Sequence, residues 1–149
     1  MRQEQNDLVT VAVVFTDSSC ERSRGPGEWS AAIRQNGRET TLAGHGTRTT
    51  KNWLTLQATV AALEHLKEPS SVVVLCENRY LLRGATQLLR WSKRNGWVTA
   101  GNTPVVQDDL WRRFDKACRH HDVTLNWFTT HRRNTWMKPD TGRRPCRLR

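Results

Sequence analysis

The sequence predicts an α/β fold with a mixed five-stranded sheet, three antiparallel strands followed by two parallel ones, and helices on both faces. Two observations lead to this prediction. In the first third of the chain, apolar runs are separated by turn signals, and no helical periodicity intervenes. In the rest, segments of helical periodicity alternate with short apolar runs of the kind that form buried parallel strands. The 149 residues can bury one hydrophobic core.

The three antiparallel strands are predicted from apolar residues and turn residues. Residues 8–15 (LVTVAVVF) are typical of a central buried strand. A Gly-Pro-Gly turn at 25–27 leads into a second strand at 29–35, in which apolar and polar residues alternate. The Asn-Gly pair at 36–37 predicts a two-residue hairpin that joins this strand to a third one at about 38–46.

The remaining elements alternate between helix and strand. Leucine and valine at helical spacing predict a first helix, which ends before Pro69. Two short runs rich in valine and leucine predict the fourth and fifth strands. The predicted ranges are helix 53–67, strand 71–76, helix 78–89, an irregular basic segment at 90–105, helix 107–121 and strand 123–128.

The end of the chain differs in composition from the rest. Residues 131–149 carry seven Lys or Arg and two prolines in 19 positions, a composition that does not favour a packed helix. We therefore expect one folded domain at residues 1–130 and a basic, poorly ordered tail at residues 131–149.

Positive charge is the strongest compositional signal. Lys and Arg number 24 against 14 Asp and Glu, which gives a net charge of +10 and a pI near 10.5. This balance favours binding to phosphate backbones or to anionic membrane surfaces. No apolar run approaches a membrane span and no signal-peptide segment is recognisable, so we expect a cytoplasmic protein without a membrane partner. The four cysteines form no C-x-x-C pair, which predicts reduced thiols.

Several motifs resemble those of the type 1 ribonucleases H, which cut the RNA strand of RNA–DNA hybrids. The motifs are FTDSSC with GPG after it, TRTTKN, ALEHLKE, GATQLL, GW-x-T, DLWRRFD and WFTTH. Together they cover about residues 8–131 in the family's order and nearly at its spacing. The resemblance implies that this domain has a ribonuclease H-like fold.

The resemblance also implies four carboxylates that hold two divalent cations. Asp17 matches the first carboxylate, whereas Thr55 stands where the family has a glutamate. Glu77 replaces the third, an aspartate, with a side chain one methylene longer. Asp140 lies about one residue from the fourth, in a segment that Pro139 prevents from continuing as a helix. We therefore expect at most a weak metal site at Asp17 and Glu77.

Each of the candidate catalytic residues also has a structural interpretation. Asp17 could cap the turn that contains Ser18 and Ser19. Glu77 could interact with the dipole of the helix that follows it. His131 matches the family's mobile loop histidine, and we interpret it as a doubtful catalytic residue, a phosphate contact or an ordinary loop residue.

The residues that the resemblance assigns to nucleic-acid binding are better preserved than the acids. Lys and Arg neutralise phosphates, and exposed indoles stack on bases. Thr50 and Asn52 are equally interpreted as helix-capping residues. Trp53 could stack on a nucleotide, contact a protein partner or fill the metal pocket. Trp111 and Trp127 are predicted to be buried. The predicted nucleic-acid-binding residues are Thr50, Asn52, Trp53, Arg79, Arg83, Arg90, Trp91, Lys93, Arg94, Trp97, Arg132 and Arg133.

The incomplete set of catalytic carboxylates and the basic surface together predict a non-catalytic, ribonuclease H-like protein. It would bind RNA–DNA hybrid or double-stranded RNA by shape and phosphate contacts and would require no cofactor. One alternative is an active ribonuclease H whose altered metal site uses Mg²⁺ or Mn²⁺ to cut RNA in hybrids. A second alternative is a protein-interaction module or inhibitor that acts on a nucleoprotein complex such as an R-loop.

Overall fold

Six strands form one mixed sheet in the structure, which is a computed structural model that describes residues 10–21, 24–127 and 146–148. The strands are β1 Thr10–Cys20, β2 Gly25–Gln35, β3 Arg38–Thr49, β4 Ser70–Cys76, β5 Asp122–Trp127 and β6 Cys146–Leu148. Their order across the sheet is β3-β2-β1-β4-β5-β6. Strands β1, β2 and β3 pair antiparallel, whereas β4 is parallel to both β1 and β5.

The five predicted strands and their arrangement are confirmed, and one further strand is present. Strand β6 pairs antiparallel with β5, and Leu125 lies opposite Cys146. The tail predicted at residues 131–149 contains no strand, and this is wrong for residues 146–148. The rest of the predicted tail, residues 131–145 and 149, lies outside the described residues.

In the described part of the chain, four α-helices and one π-helical turn connect the strands. They are α1 Lys51–His65, α2 Arg79–Arg83, the π-helical turn Gly84–Leu88, α3 Leu89–Arg94 and α4 Asp108–His120. The residues that cap the junctions between Arg79 and Arg94 keep right-handed helical angles, so this stretch is one helical path. The predicted irregular segment therefore begins later than expected, after residue 94. No helix among the described ranges is long and apolar enough to cross a membrane.

Helix α1 covers one face of the sheet. It packs against β1, β2 and α4. Along β1, Ala12 and Val14 are fully buried on this face, and Thr16 continues the alternation. The residues between them point to the opposite face, where Val11 is 59% exposed and Phe15 is half-buried. Successive residues at the end of β1 therefore face opposite sides of the sheet.

The buried ring of Trp111 connects α4 to the helical path from residue 79 to 94. Trp111 is fully buried, as predicted, and its Nε1 donates a hydrogen bond of 2.9 Å to the hydroxyl of Tyr80. That hydroxyl donates in turn to Gln107 Oε1 at 3.0 Å. Phe114 packs edge-on against the indole, with ring centroids 5.4 Å apart. Trp127 is half-buried, so the prediction that it is buried is wrong.

His121 fastens the end of α1 to the start of β4. The backbone N–H of Ser70 donates to its Nδ1 at 3.1 Å, so that atom carries no proton. Its Nε2 is 3.0 Å from the backbone oxygen of Leu63 and donates to it. Burial lowers the pKa of His121 below 6.5, because the charged imidazolium loses hydration in this position. The neutral ring thus satisfies two backbone groups at once.

The close approach of Gly84 to Trp111 predicts that Gly84→Ala destabilises the fold. A Cβ at residue 84 would lie 2.2 Å from Cζ2 of Trp111, and that ring is held on several sides. We expect the free energy of unfolding to fall by about 1–3 kcal/mol, more than the gain in helix propensity returns. Urea unfolding measures this. Gly101→Ala is the control, because its Cβ would meet only Thr99 Oγ1 at 3.8 Å; equal stability of both variants would contradict the prediction.

The neutral state of His121 predicts a stability that decreases in mild acid. Its folded-state pKa is lower than its unfolded value of 6.5, so below pH 6.5 the unfolded chain binds the proton first. The contribution is complete above pH 6.5 and is lost as the pH falls through the folded pKa. Urea titrations between pH 8 and pH 5 measure it. We expect His121→Gln to flatten the dependence and His45→Gln, an exposed histidine, to preserve it.

Candidate active site

Asp17 and Glu77 lie at the same edge of the sheet. Strands β1 and β4 are parallel, and the last paired residues are Phe15 and Leu75. Asp17 and Glu77 each follow their strand's paired residue by two positions. Because parallel strands end at the same edge, the fold brings these two acids to one place. Asp17 is exposed and Glu77 is half-buried.

The carboxylate of Asp17 is oriented by the backbone N–H of the next residue. The N–H of Ser18 donates to Asp17 Oδ1 at 2.9 Å. The turn interaction that was expected between the Asp17 side chain and Ser18 is therefore present. The alternation along β1 places Asp17 on the face opposite to Thr16, while Ser18 returns to the face that α1 covers.

Thr55 stands where the family resemblance implies a glutamate, and it forms a neutral hydrogen-bonded cluster. Thr55 lies in the second turn of α1 and is 5% exposed. Its Oγ1 lies 3.1 Å from Ser18 Oγ and accepts a hydrogen bond of 3.4 Å from Asn78 Nδ2. The hydroxyl thus contacts the residue after Asp17 and the residue after Glu77.

Asn78 completes this cluster and also begins α2. Its Oδ1 accepts a hydrogen bond of 2.9 Å from the backbone N–H of Leu81, as an N-cap residue does. Its Nδ2 also lies 3.4 Å from Asn52 Oδ1. Glu77 precedes the cap, next to the helix start that the sequence analysis expected. The sequence analysis missed Ser18 and Asn78 as site residues, although each directly follows a candidate acid.

The donor atoms at this edge are oxygens. Within residues 10–21, 24–127 and 146–148, no group of three or more His, Cys, Asp or Glu could hold a metal ion. Cys76 lies beside Glu77, but burial raises the pKa of its thiol from 9.0 to about 12, so it stays protonated. Burial also raises the pKa of the Cys118 thiol to about 12. Neither cysteine forms a disulfide, as predicted. His131 and Asp140 lie outside the described residues.

The predicted nucleic-acid residues near the start of α1 have structural contacts. Thr50 is the N-cap, and its hydroxyl accepts a hydrogen bond of 3.1 Å from the backbone N–H of Trp53. Trp53 is half-buried and packs against the hydrophobic core, close to Gly46. Asn52 is exposed while it contacts Asn78. The capping interpretation of Thr50 is therefore confirmed, and its role in nucleic-acid binding stays a prediction.

The predicted basic surface lies mainly on the helical path from residue 79 to 94. Its exposed members are Arg79, Arg83, Arg90, Trp91, Lys93 and Arg94. Lys93 donates to the carboxylate of Asp115 at 3.0 Å, so one of these cations already has a protein partner. The Arg112 guanidinium lies 5.0 Å above the ring of Trp97. Arg132 and Arg133 lie outside the described residues.

Comparison with known proteins identifies the family of this chain. The RNase H family model matches residues 10–139. The ribonuclease H of Mesorhizobium japonicum is 39% identical over 122 residues, which are 82% of this chain and 69% of that protein. The ribonuclease H of Escherichia coli strain HS is 41% identical over 118 residues, 79% of this chain and 76% of that protein. The crystal structure of LC9-RNase H1, a type 1 RNase H with the type 2 active-site motif, superposes with a TM-score of 0.70 at 20% identity. That match covers 83% of this chain and 64% of the other.

These matches overturn the expectation of a non-catalytic binding protein. Relatives that share about 40% of their residues with this chain over four fifths of its length are ribonucleases H. The replacement at Thr55 is therefore insufficient ground for calling the protein a pseudoenzyme, and the alternative of an active enzyme with an altered site agrees better with these relatives. The chain belongs to the RNase H family.

Proposed function

We propose that this protein is a metal-dependent endoribonuclease that cuts the RNA strand of RNA–DNA hybrids. The observation that carries the proposal is the placement of Asp17 and Glu77 at one edge of the sheet, in a chain about 40% identical to ribonucleases H. Phosphodiester hydrolysis in this family depends on carboxylates held at such an edge. We assign this role to Asp17 in β1 and to Glu77, which directly follows β4.

The donor chemistry at this edge fits a hard divalent cation. Asp17 and Glu77 provide carboxylate oxygens, and enzymes of this family typically use Mg²⁺. Magnesium is commonly bound through one or two carboxylates together with substrate phosphates and water. When bound, the cation would supply Lewis-acid polarisation of the scissile phosphodiester.

The chain's own residues orient the acids and exclude competing chemistry. The backbone N–H of Ser18 donates to one oxygen of Asp17, which helps to fix the orientation of the carboxylate. The cap at Asn78 fixes where the chain turns directly after Glu77. Cys76, although adjacent, is only 2% exposed, so its thiol is shielded from a metal ion in solvent.

The basic surface provides affinity for the substrate. Arg79 and Arg83 are one helical turn apart, and Arg90 and Arg94 repeat that spacing further along the same path. Cations spaced in this way neutralise successive phosphates without reading sequence. Exposed Trp91 adds an aromatic surface that can lie against a base or sugar. We therefore assign the hybrid's backbone to this side of the molecule.

Cleavage in Mg²⁺ or Mn²⁺ is expected to depend on Asp17. We expect Asp17→Asn to lower kcat on a labelled hybrid about 100-fold or more, because the substitution removes a cation ligand. The Kd for the hybrid should remain similar, since binding relies on the basic surface. Asp122→Asn is the control, as Asp122 begins β5 at the opposite end of the sheet. A protein that leaves the hybrid intact in both metals, or an Asp17→Asn variant of full activity, would contradict the proposal.

Hybrid binding is expected to weaken steeply with salt. Each phosphate contact that is removed should lower the slope of log affinity against log salt by about 1. We expect Arg90→Gln and Arg94→Gln each to show this loss, measured by fluorescence anisotropy with Asp17→Asn protein to prevent cleavage. Arg34→Gln is the control, because Arg34 lies on β2 and pairs with Glu39 at 2.9 Å. Equal changes of slope in all three variants would exclude this surface as the binding face.

A further inference from the structure

We propose that Thr55 is a positioning residue that holds the ends of β1 and β4 together, so that Asp17 and Glu77 bind a single divalent cation. This inference rests on the proposed function. Its basis is that one buried hydroxyl contacts Ser18 Oγ at 3.1 Å and Asn78 Nδ2 at 3.4 Å.

The two contacts of Thr55 span the site. Ser18 follows Asp17 directly, and Asn78 follows Glu77 directly, so each partner of the hydroxyl is bonded covalently to an acidic residue. The partners lie 37 and 23 residues from Thr55 along the chain. The β1–β4 pairing described above ends at Phe15 and Leu75. Beyond that point, the Thr55 hydroxyl links the two strand ends through side chains.

Packing and a backbone hydrogen bond hold Thr55 in a fixed position. Its neighbours Leu54 and Leu56 are fully buried, which fixes the first turns of α1 against the sheet. Its backbone oxygen accepts a hydrogen bond of 2.9 Å from Thr59 Oγ1. Asn78 is 8% exposed, so water cannot readily replace the hydroxyl as its partner. A displacement of Thr55 would therefore be transmitted to both strand ends.

The cluster is also electrically neutral. Hydroxyl and amide groups add no charge, so the cluster itself does not offset the charge of a cation, and we assign that role to Asp17 and Glu77. Like charges brought close together repel, and a bound cation relieves that repulsion. Two carboxylates suit one divalent cation, which predicts one site per chain. Groups that orient ligands typically change metal affinity by about 10–100-fold when they are removed.

The test is Mn²⁺ binding measured by calorimetry and electron paramagnetic resonance, on the full chain without nucleic acid. We expect one site per chain, which Asp17→Asn and Glu77→Gln each abolish. Thr55→Val keeps the shape of the side chain, removes the hydroxyl, and should weaken Mn²⁺ binding about 10-fold. Thr55→Ser restores the hydroxyl and should restore the affinity. Thr86→Val is the control, since it removes a helical hydroxyl that donates to the backbone oxygen of Leu82 and makes no contact with Thr55.

A double-mutant cycle separates positioning from general stability. Ser18→Ala removes the partly buried hydroxyl that contacts Thr55 Oγ1, and it should weaken Mn²⁺ binding about 3-fold or more. Adding it to Thr55→Val should cost little more, because both changes break the same link. If Thr55→Val unfolds, Ser18→Ala and Thr55→Ser alone decide the question. Unchanged Mn²⁺ affinity in Thr55→Val, or an equal loss in Thr86→Val, would overturn the inference.

The outcomes also separate this inference from the proposed function. An Mn²⁺ site that needs the Thr55 hydroxyl, in a protein that leaves hybrids uncut, would support the positioning role and reject the nuclease. Asp17-dependent cleavage with Thr55→Val fully active and fully metal-binding would do the reverse. A chain that binds no Mn²⁺ would overturn the positioning role, and two equivalent sites would overturn the single-cation arrangement.

Discussion

The parallel pairing of β1 with β4 is the constraint on which the site depends. An antiparallel pair would place the two acids at opposite edges, whereas the parallel pairing, which ends at Phe15 and Leu75, brings both acids to one edge. A parallel connection requires a crossover, and α1 provides it after β2 and β3 have been added to the other side. The helix that makes the pairing possible therefore also delivers Thr55 to the strand ends. Topology and site chemistry have the same origin.

The sequence predicts the sheet well because strands of this kind carry local signals. The apolar run of β1, the Asn-Gly hairpin and the valine run of β4 each indicate their element without knowledge of distant residues. Helix α3 was missed because basic residues and a tryptophan at 90–94 hide the apolar periodicity of a short segment. The π-helical turn begins at Gly84, which lies against Trp111, a residue 27 positions away in the chain and therefore without a local signal.

The candidate site was predictable only in part. Asp17 and Glu77 follow apolar strands, so their chemistry can be read locally, and the parallel arrangement then brings them together. The cluster around Thr55 has no local signal, because its partners lie far away in the chain. Seen alone, a threonine at that position suggests a lost ligand. Seen with Ser18 and Asn78, it is part of a connected polar group that is satisfied in the folded chain.

The net charge of the protein and the local charge of the candidate site have opposite effects on a phosphate backbone. The net charge of +10 attracts a phosphate backbone over a long range, whereas two carboxylates at the sheet edge repel it locally. A divalent cation bound at the proposed site would reverse that local repulsion. With fewer acids than the family resemblance implies, the proposed site would repel phosphate less but would also hold a cation less tightly, so the position of each ligand would become more important. The neutral hydrogen bonds of Thr55 to Ser18 and Asn78 connect the segments that carry the two acids and add no further negative charge.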